Sequence, residues 1–164
     1  MPADPNALAD PLASSLPHYS HWGINLLVVL ATIATVLLCV ALHYEALNLL
    51  SRRLARAHGP HRRRVVFAIF GLLSVHVVEI WIFGLACALL LLMPLAGTPH
   101  GLDGGLLDFI YVSAMNFSTV GTGDAFVTGP VRFLTGTEAL TGMVLITWSA
   151  SFTFLEMQRF WRER

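Results

Sequence analysis

The stretch Ser118-Thr119-Val120-Gly121-Thr122-Gly123-Asp124 sets two glycines at alternate positions among short side chains. Its main chain could do chemistry more readily than its side chains. A cation that leaves water needs its hydration oxygens replaced, and a row of backbone carbonyls replaces them when several point the same way. Successive carbonyls of an ordinary strand point in opposite directions. Lining them up requires residues with positive φ, which glycine reaches at little cost. Gly121 and Gly123, alternating with Val120 and Thr122, meet that need, while Thr119 can add a hydroxyl oxygen at one end and Asp124 closes the turn.

Such a turn must be held by its neighbours. Leu106 to Phe117, an apolar run of about twelve residues, comes just before it. That is short of the roughly 20 residues a helix needs to cross a bilayer core, and suits a segment that enters and leaves on one side. A half-helix there aims its partially negative C-terminus at the turn and favours a cation. Ala96 to Gly105 reads as a Gly/Pro loop leading in, and Pro130 marks the way out. Irregular backbone at membrane depth is tolerated only where protein buries it or where it lines a watery cavity.

The membrane setting follows from the rest of the chain. Ile24 to Leu42 carries no charged residue, Val65 to Met93 is interrupted only by His76 and Glu79, and Phe133 to Leu155 only by Glu138. Each is long enough to span, and the first span continues to about Leu50, its last turns (His43, Glu45, Asn48) becoming polar as they approach the cytoplasm. With 55% hydrophobic and 12% charged residues and a mean hydropathy of +0.68, the composition excludes an ordinary soluble domain. The ten basic residues are all Arg, and six of them (Arg52, Arg53, Arg56, Arg62, Arg63, Arg64) lie between the first two spans. Arg159, Arg162 and Arg164 follow the third span. These clusters read as topology signals, not as a nucleic-acid face. They place the first loop and the C-terminus in the cytoplasm and the N-terminus, with Asp4 and Asp10, outside. Residues 1–21, with Pro2, Pro5, Pro11 and Pro17, read as a mobile tail in which Tyr19, followed by Trp22, reaches the outer headgroups. No basic region precedes the first span, so a cleavable signal peptide is not expected. Cys39 and Cys87 fall within spans and read as small packing residues.

Thr119-Val120-Gly121-Thr122-Gly123-Asp124 resembles the potassium channel signature. The resemblance extends to Tyr111-Val112-Ser113-Ala114 in the short helix, to Arg132 opening the last span, and to Gly142 ten residues on, where the family often has a gating-hinge glycine. It covers residues 65–164 as a channel pore module of outer helix, pore helix, filter and inner helix. Residues 22–64 look like the additional transmembrane helix, with its basic cytoplasmic loop, of small bacterial members. The resemblance implies a homotetramer in the cell membrane. It also implies K⁺ held at Thr119, Val120, Gly121 and Thr122, and a cavity lined by Met143, Thr147, Ala150, Ser151 and Phe154. Two positions depart from the family pattern. Thr122 stands where relatives carry an aromatic residue that braces the filter, and Met115 where many carry a carboxylate paired with the filter aspartate.

The remaining polar residues support a plain and a sharper reading each. His76 and Glu79, three residues apart, share a helix face. They read either as a hydrogen-bonded pair gluing the second span to the pore helix or third span, or as a proton sensor. Glu138 reads as a brace behind the filter, or less readily as an ion ligand. Met143, Thr147, Ala150 and Phe154 recur at helical spacing, as interhelical packing or as cavity lining, in which case Phe154 is a constriction that can gate by dewetting. The Arg cluster is a plausible site for anionic lipid.

The fold expected is all-α integral membrane, with three transmembrane helices plus a re-entrant pore helix and filter, tetrameric. The function expected is passive K⁺ conduction, with a non-selective cation pore or a non-conducting anchoring subunit as alternatives. A subunit of a potassium uptake transporter fits less well, because such chains repeat the motif and this one has it once. No Walker loop, no nucleophile beside a base and no metal-ligand spacing stands in the sequence, so neither enzyme activity nor a cofactor beyond the permeant ion is expected.

Overall fold

The computed structural model describes residues 21–56 and 61–162; the tail residues 1–20 and the expected break at Gly59-Pro60 lie outside the described residues. Four helices carry the architecture: α1 (Trp22–Arg56), α2 (His61–Leu91), α3 (Leu106–Phe117) and α4 (Arg132–Arg162). Two short strands, β1 (Thr98–His100) and β2 (Phe126–Thr128), flank α3 and the turn after it. Three helices are long and apolar enough to cross a membrane, and α3 is not.

α1 buries one stripe: Val28, Thr32, Thr35, Cys39, His43, Leu47, Leu50 and Leu54. Their spacing of three and four residues keeps them on one face, while Leu26, Leu30 and Leu37 on the other face stay exposed. Thr32 and Thr35 sit in this stripe because their hydroxyls donate back to the Val28 and Ala31 carbonyls, each at 2.8 Å. The helix runs on past the expected Leu50 to Arg56. Nothing in Ser51-Arg52-Arg53-Leu54-Ala55-Arg56 breaks it, its arginines suit the negative end of the helix, and Leu54 is buried. α2 ends at Leu91, three residues before Pro94, which disfavours helix in the residue before it. α4 likewise outruns the apolar stretch and reaches Arg162.

α3 packs against α2 and α4, and α1 packs against the same two helices. One core unites them around Phe83, Phe109, Phe117, Leu134 and Leu145, and a second joins α1 to α2 through Leu47, Leu50, Leu54, Ala68 and Leu72. The stretch read as a plain loop before α3 contains β1, which pairs antiparallel with β2 in the register Thr98↔Thr128, Pro99↔Val127, His100↔Phe126. The backbone comes close enough for this because Gly97 and Gly129 meet there, the Gly97 Cα lying 2.8 Å from where a Gly129 Cβ would stand. Residues 101–125 therefore leave one two-stranded ribbon and return to it.

Candidate functional site

The turn hangs from the C-terminal end of α3. Thr119 N–H donates to the Asn116 carbonyl at 2.8 Å, and the Val120 and Gly121 N–H groups both donate to the Met115 carbonyl at 3.1 Å. Farther on, Ala125 N–H donates to the Thr122 carbonyl at 3.1 Å. φ is positive at every second residue: 61° at Thr119, 89° at Gly121 and 58° at Gly123. Sequence reasoning assigned positive φ to the glycines; Thr119 joins them. A β-branched residue there is a backbone outlier, and outliers of this kind gather at functional sites. A side chain would meet nothing within 4 Å at Gly121 or Gly123, so their need for glycine is conformational. Gly101 is different, because its Cβ would come 2.5 Å from the Asp124 carbonyl oxygen. Val120 is 71% exposed, leaving the front of the turn bare in the single chain.

Behind the turn the contacts are close. Gly84 of α2 faces α3, where a Cβ would stand 3.0 Å from Ile110 Cα and 3.2 Å from the Phe109 carbonyl oxygen. The buried Ser113 hydroxyl lies between the Ile80 carbonyl oxygen, 2.7 Å away, and the Glu138 carboxyl group. Glu138 thus reaches the middle of α3 and not the turn. Gly142 is buried where α4 crosses the end of α3, and an added Cβ would run into the Phe117 carbonyl oxygen. Its position has a packing cause, and α4 continues through it. Met143, Thr147, Ala150, Ser151 and Phe154 all lie on faces of α4 that none of the other described residues covers. The Thr147 and Ser151 hydroxyls donate to the Met143 and Thr147 carbonyls at 2.7 and 3.0 Å. A cavity of about 320 Å³ separates Thr122 from Val112 and Asn116 of α3 and from Arg132 and Thr135 of α4.

His76 and Glu79 share a face as read, but their partner differs. Glu79 joins α2 to α1, and neither to α3 nor to α4. His43 Nδ1 lies 2.9 Å from Glu79 Oε1, and His76 Nδ1 2.9 Å from Oε2. The sequence reading put His43 near the cytoplasmic end of the first span. It is wholly buried, because it falls four residues after Cys39 on the buried stripe of α1. That stripe was the signal that could have found it. Ser149 Oγ of α4 stands 3.4 Å from His43 Nε2, and the His76 ring packs 5.7 Å from that of Phe117. His43, His76 and Glu79 also bring three donor atoms within 4.8 Å, a grouping that linear spacing could not reveal because His43 comes from another helix.

Arg52, Arg53 and Arg56 end α1, and Arg62, Arg63 and Arg64 begin α2. Of the basic residues after the third span, the side chains of Arg159 and Arg162, and all of Arg164, lie outside the described residues. Fold and site define an all-helical protein of multi-pass membrane type. No protein-family model, curated protein or solved structure matches the chain.

Proposed function

We propose that the chain is one subunit of a homotetrameric, potassium-type cation channel whose selective element is the turn Thr119–Asp124. The observation that carries this reading is the alternation of positive φ at Thr119, Gly121 and Gly123 in a turn suspended from the end of a short helix. Alternation of this kind is what a strip of carbonyls facing one side requires, and carbonyls in a strip can replace an ion's water. One chain supplies one strip, so a closed ring needs further copies around an axis. The exposure of Val120 fits a side chain that neighbouring copies would cover. The uncovered face of α4 at Met143, Thr147, Ala150 and Phe154 would continue the pore inward, with the membrane lipids around α1 and α2. The arginine-rich ends of α1 and α2 would lie in the cytoplasm with the C-terminus, and the N-terminus outside.

A second reading, a cation pore without K⁺ preference, is favoured by the cavity beside Thr122. A turn with open space beside Thr122 is freer to deform there, and filter stiffness is one disputed source of K⁺ over Na⁺ preference. Planar-bilayer recording in mixed K⁺ and Na⁺ tests both. The proposal expects cation currents that Gly121→Ala abolishes and a reversal potential that follows K⁺. Equal permeability would establish the second reading, and currents unchanged by Gly121→Ala would refute both.

A further inference from the structure

Ion conduction through the turn makes no use of the buried cluster of His43, His76 and Glu79. We propose that this cluster is a binding site for a divalent transition-metal ion of the zinc class, held between α1 and α2. Two imidazoles and a carboxylate suit zinc, cobalt and nickel, and zinc is well served by three protein ligands with a fourth position open. The three donor atoms lie within 4.8 Å of one another, and each histidine Nδ1 stands 2.9 Å from a Glu79 oxygen. In a tetrahedral site with metal–ligand bonds of about 2.0–2.1 Å, neighbouring donors sit roughly 3.3 Å apart. An ion held by one Glu79 oxygen would widen the imidazole–carboxylate pair at that oxygen by roughly half an ångström and draw the two imidazoles towards itself.

Three further observations point to a ligand. A metal-bound imidazole is oriented through its other nitrogen, and Ser149 Oγ stands 3.4 Å from His43 Nε2. With Nδ1 on the ion, Nε2 keeps its proton and donates a hydrogen bond to the Ser149 oxygen. The His43 ring also packs against the rings of His76 and Trp148, with centroids 5.4 and 5.3 Å away, which limits its rotation. Second, a carboxylate at membrane depth is costly without a countercharge. Both hydrogen-bond partners of Glu79 among the described residues are imidazoles, so a divalent cation would supply that charge. Third, Glu79 and His43 are sealed while the His76 side chain is 15% exposed, so His76 is the donor freest to shift as an ion binds.

The test uses the purified full-length chain in detergent, with any affinity tag removed. Co²⁺ is titrated in and followed by its visible ligand-field absorption, Zn²⁺ is then added as competitor, and thermal unfolding is recorded with and without Zn²⁺. The expected result is a four- or five-coordinate cobalt spectrum saturating at one ion per chain, its loss on adding Zn²⁺, and a higher unfolding temperature with Zn²⁺. His76→Gln keeps a hydrogen-bond donor for Glu79 at the partly exposed position. It should weaken Co²⁺ binding at least as much as the roughly 10- to 100-fold that loss of an outer partner costs, with the metal-free unfolding temperature unchanged. His76→Cys should restore Zn²⁺ binding. An absent cobalt spectrum, with unfolding indifferent to Zn²⁺, would reduce the cluster to a hydrogen-bonded brace. Equal affinity in His76→Gln would place the ion elsewhere. Neither readout involves ion flux, so failure here and failure of the channel reading are separable.

Discussion

Gly142→Ala has a sign that separates a hinge glycine from a contact glycine. A Cβ added at Gly142 would collide with the Phe117 carbonyl oxygen, with Phe117 C and Cα only 2.8 and 2.9 Å away. All three are backbone atoms, so no side-chain rotation relieves the clash and α4 must move off the end of α3. Overpacking of this kind costs about 1–3 kcal/mol. Against it stands the better helix propensity of alanine, about 0.8–1.0 kcal/mol in a helix interior. Gly136 lies in the same helix with nothing within 4 Å of its Cβ position, so Gly136→Ala keeps the gain without the clash. The two variants should therefore differ by about 1–3 kcal/mol, with Gly136→Ala above the parent protein and Gly142→Ala at or below it. Equilibrium unfolding in mixed micelles with graded SDS, followed by far-ultraviolet circular dichroism, measures both. Equal stabilisation by the two substitutions would refute the close crossing of α3 and α4 and restore Gly142 as a pure hinge.

Two more substitutions probe the surroundings of the turn. Ser113→Ala removes the group that meets the buried Glu138 and the Ile80 carbonyl; stripping a buried polar group of its partner costs about 1–3 kcal/mol, and unchanged unfolding would show that Glu138 does not brace α3 through Ser113. Thr122→Tyr sends a ring towards the cavity bounded by Val112, Asn116 and Arg132. Bi-ionic reversal potentials should then shift towards K⁺, and a shift towards Na⁺ would contradict a filter stiffened from behind.

Much of this arrangement was legible from residue order alone. The three long helices and the twelve-residue α3 follow from apolar run lengths, and α3 spans the same residues, Leu106–Phe117, as the run that predicts it. The helix ends were less legible, because the spans expected from apolar content stop at about Leu50 and Leu155 while helix-forming residues continue to Arg56 and Arg162. The β1–β2 ribbon escaped because its three-residue strands contain Pro99 and lie 25 residues apart, from His100 to Phe126 with the intervening residues 101–125. The burial of His43 escaped for another reason. Its polarity was weighed by its distance from the end of an apolar run, whereas its register on the α1 stripe decides its burial. In the site, Gly121 and Gly123 declare their conformation by type; Thr119 does not, because its positive φ is imposed by the bonds that tie the turn to Asn116 and Met115.

The contacts around α3 are unevenly distributed, and the reason is physical. Between helices in lipid there is little hydrophobic drive, so close approach of small residues and polar contacts hold them together. α3 has these on its α2 and α4 sides: Gly84 against Ile110, Ser113 between Ile80 and Glu138, Gly142 against the Phe117 carbonyl. At its C-terminal end Phe117 touches His76, whose partner Glu79 reaches His43 of α1, so a change in that cluster bears on the base of the turn. Among the described residues nothing comparable covers the turn at Val120, and beside Thr122 it has a cavity. Its shape therefore depends on α3 behind it and, in the assembly proposed, on the neighbouring copies. If the turn is the filter proposed, loosening α3 through Ser113 or Gly142 should change which ions it discriminates, read as bi-ionic reversal potentials, as well as how stable the chain is. Substitutions on the uncovered face of α4, such as Phe154→Ala, should change how fast ions pass while leaving discrimination intact.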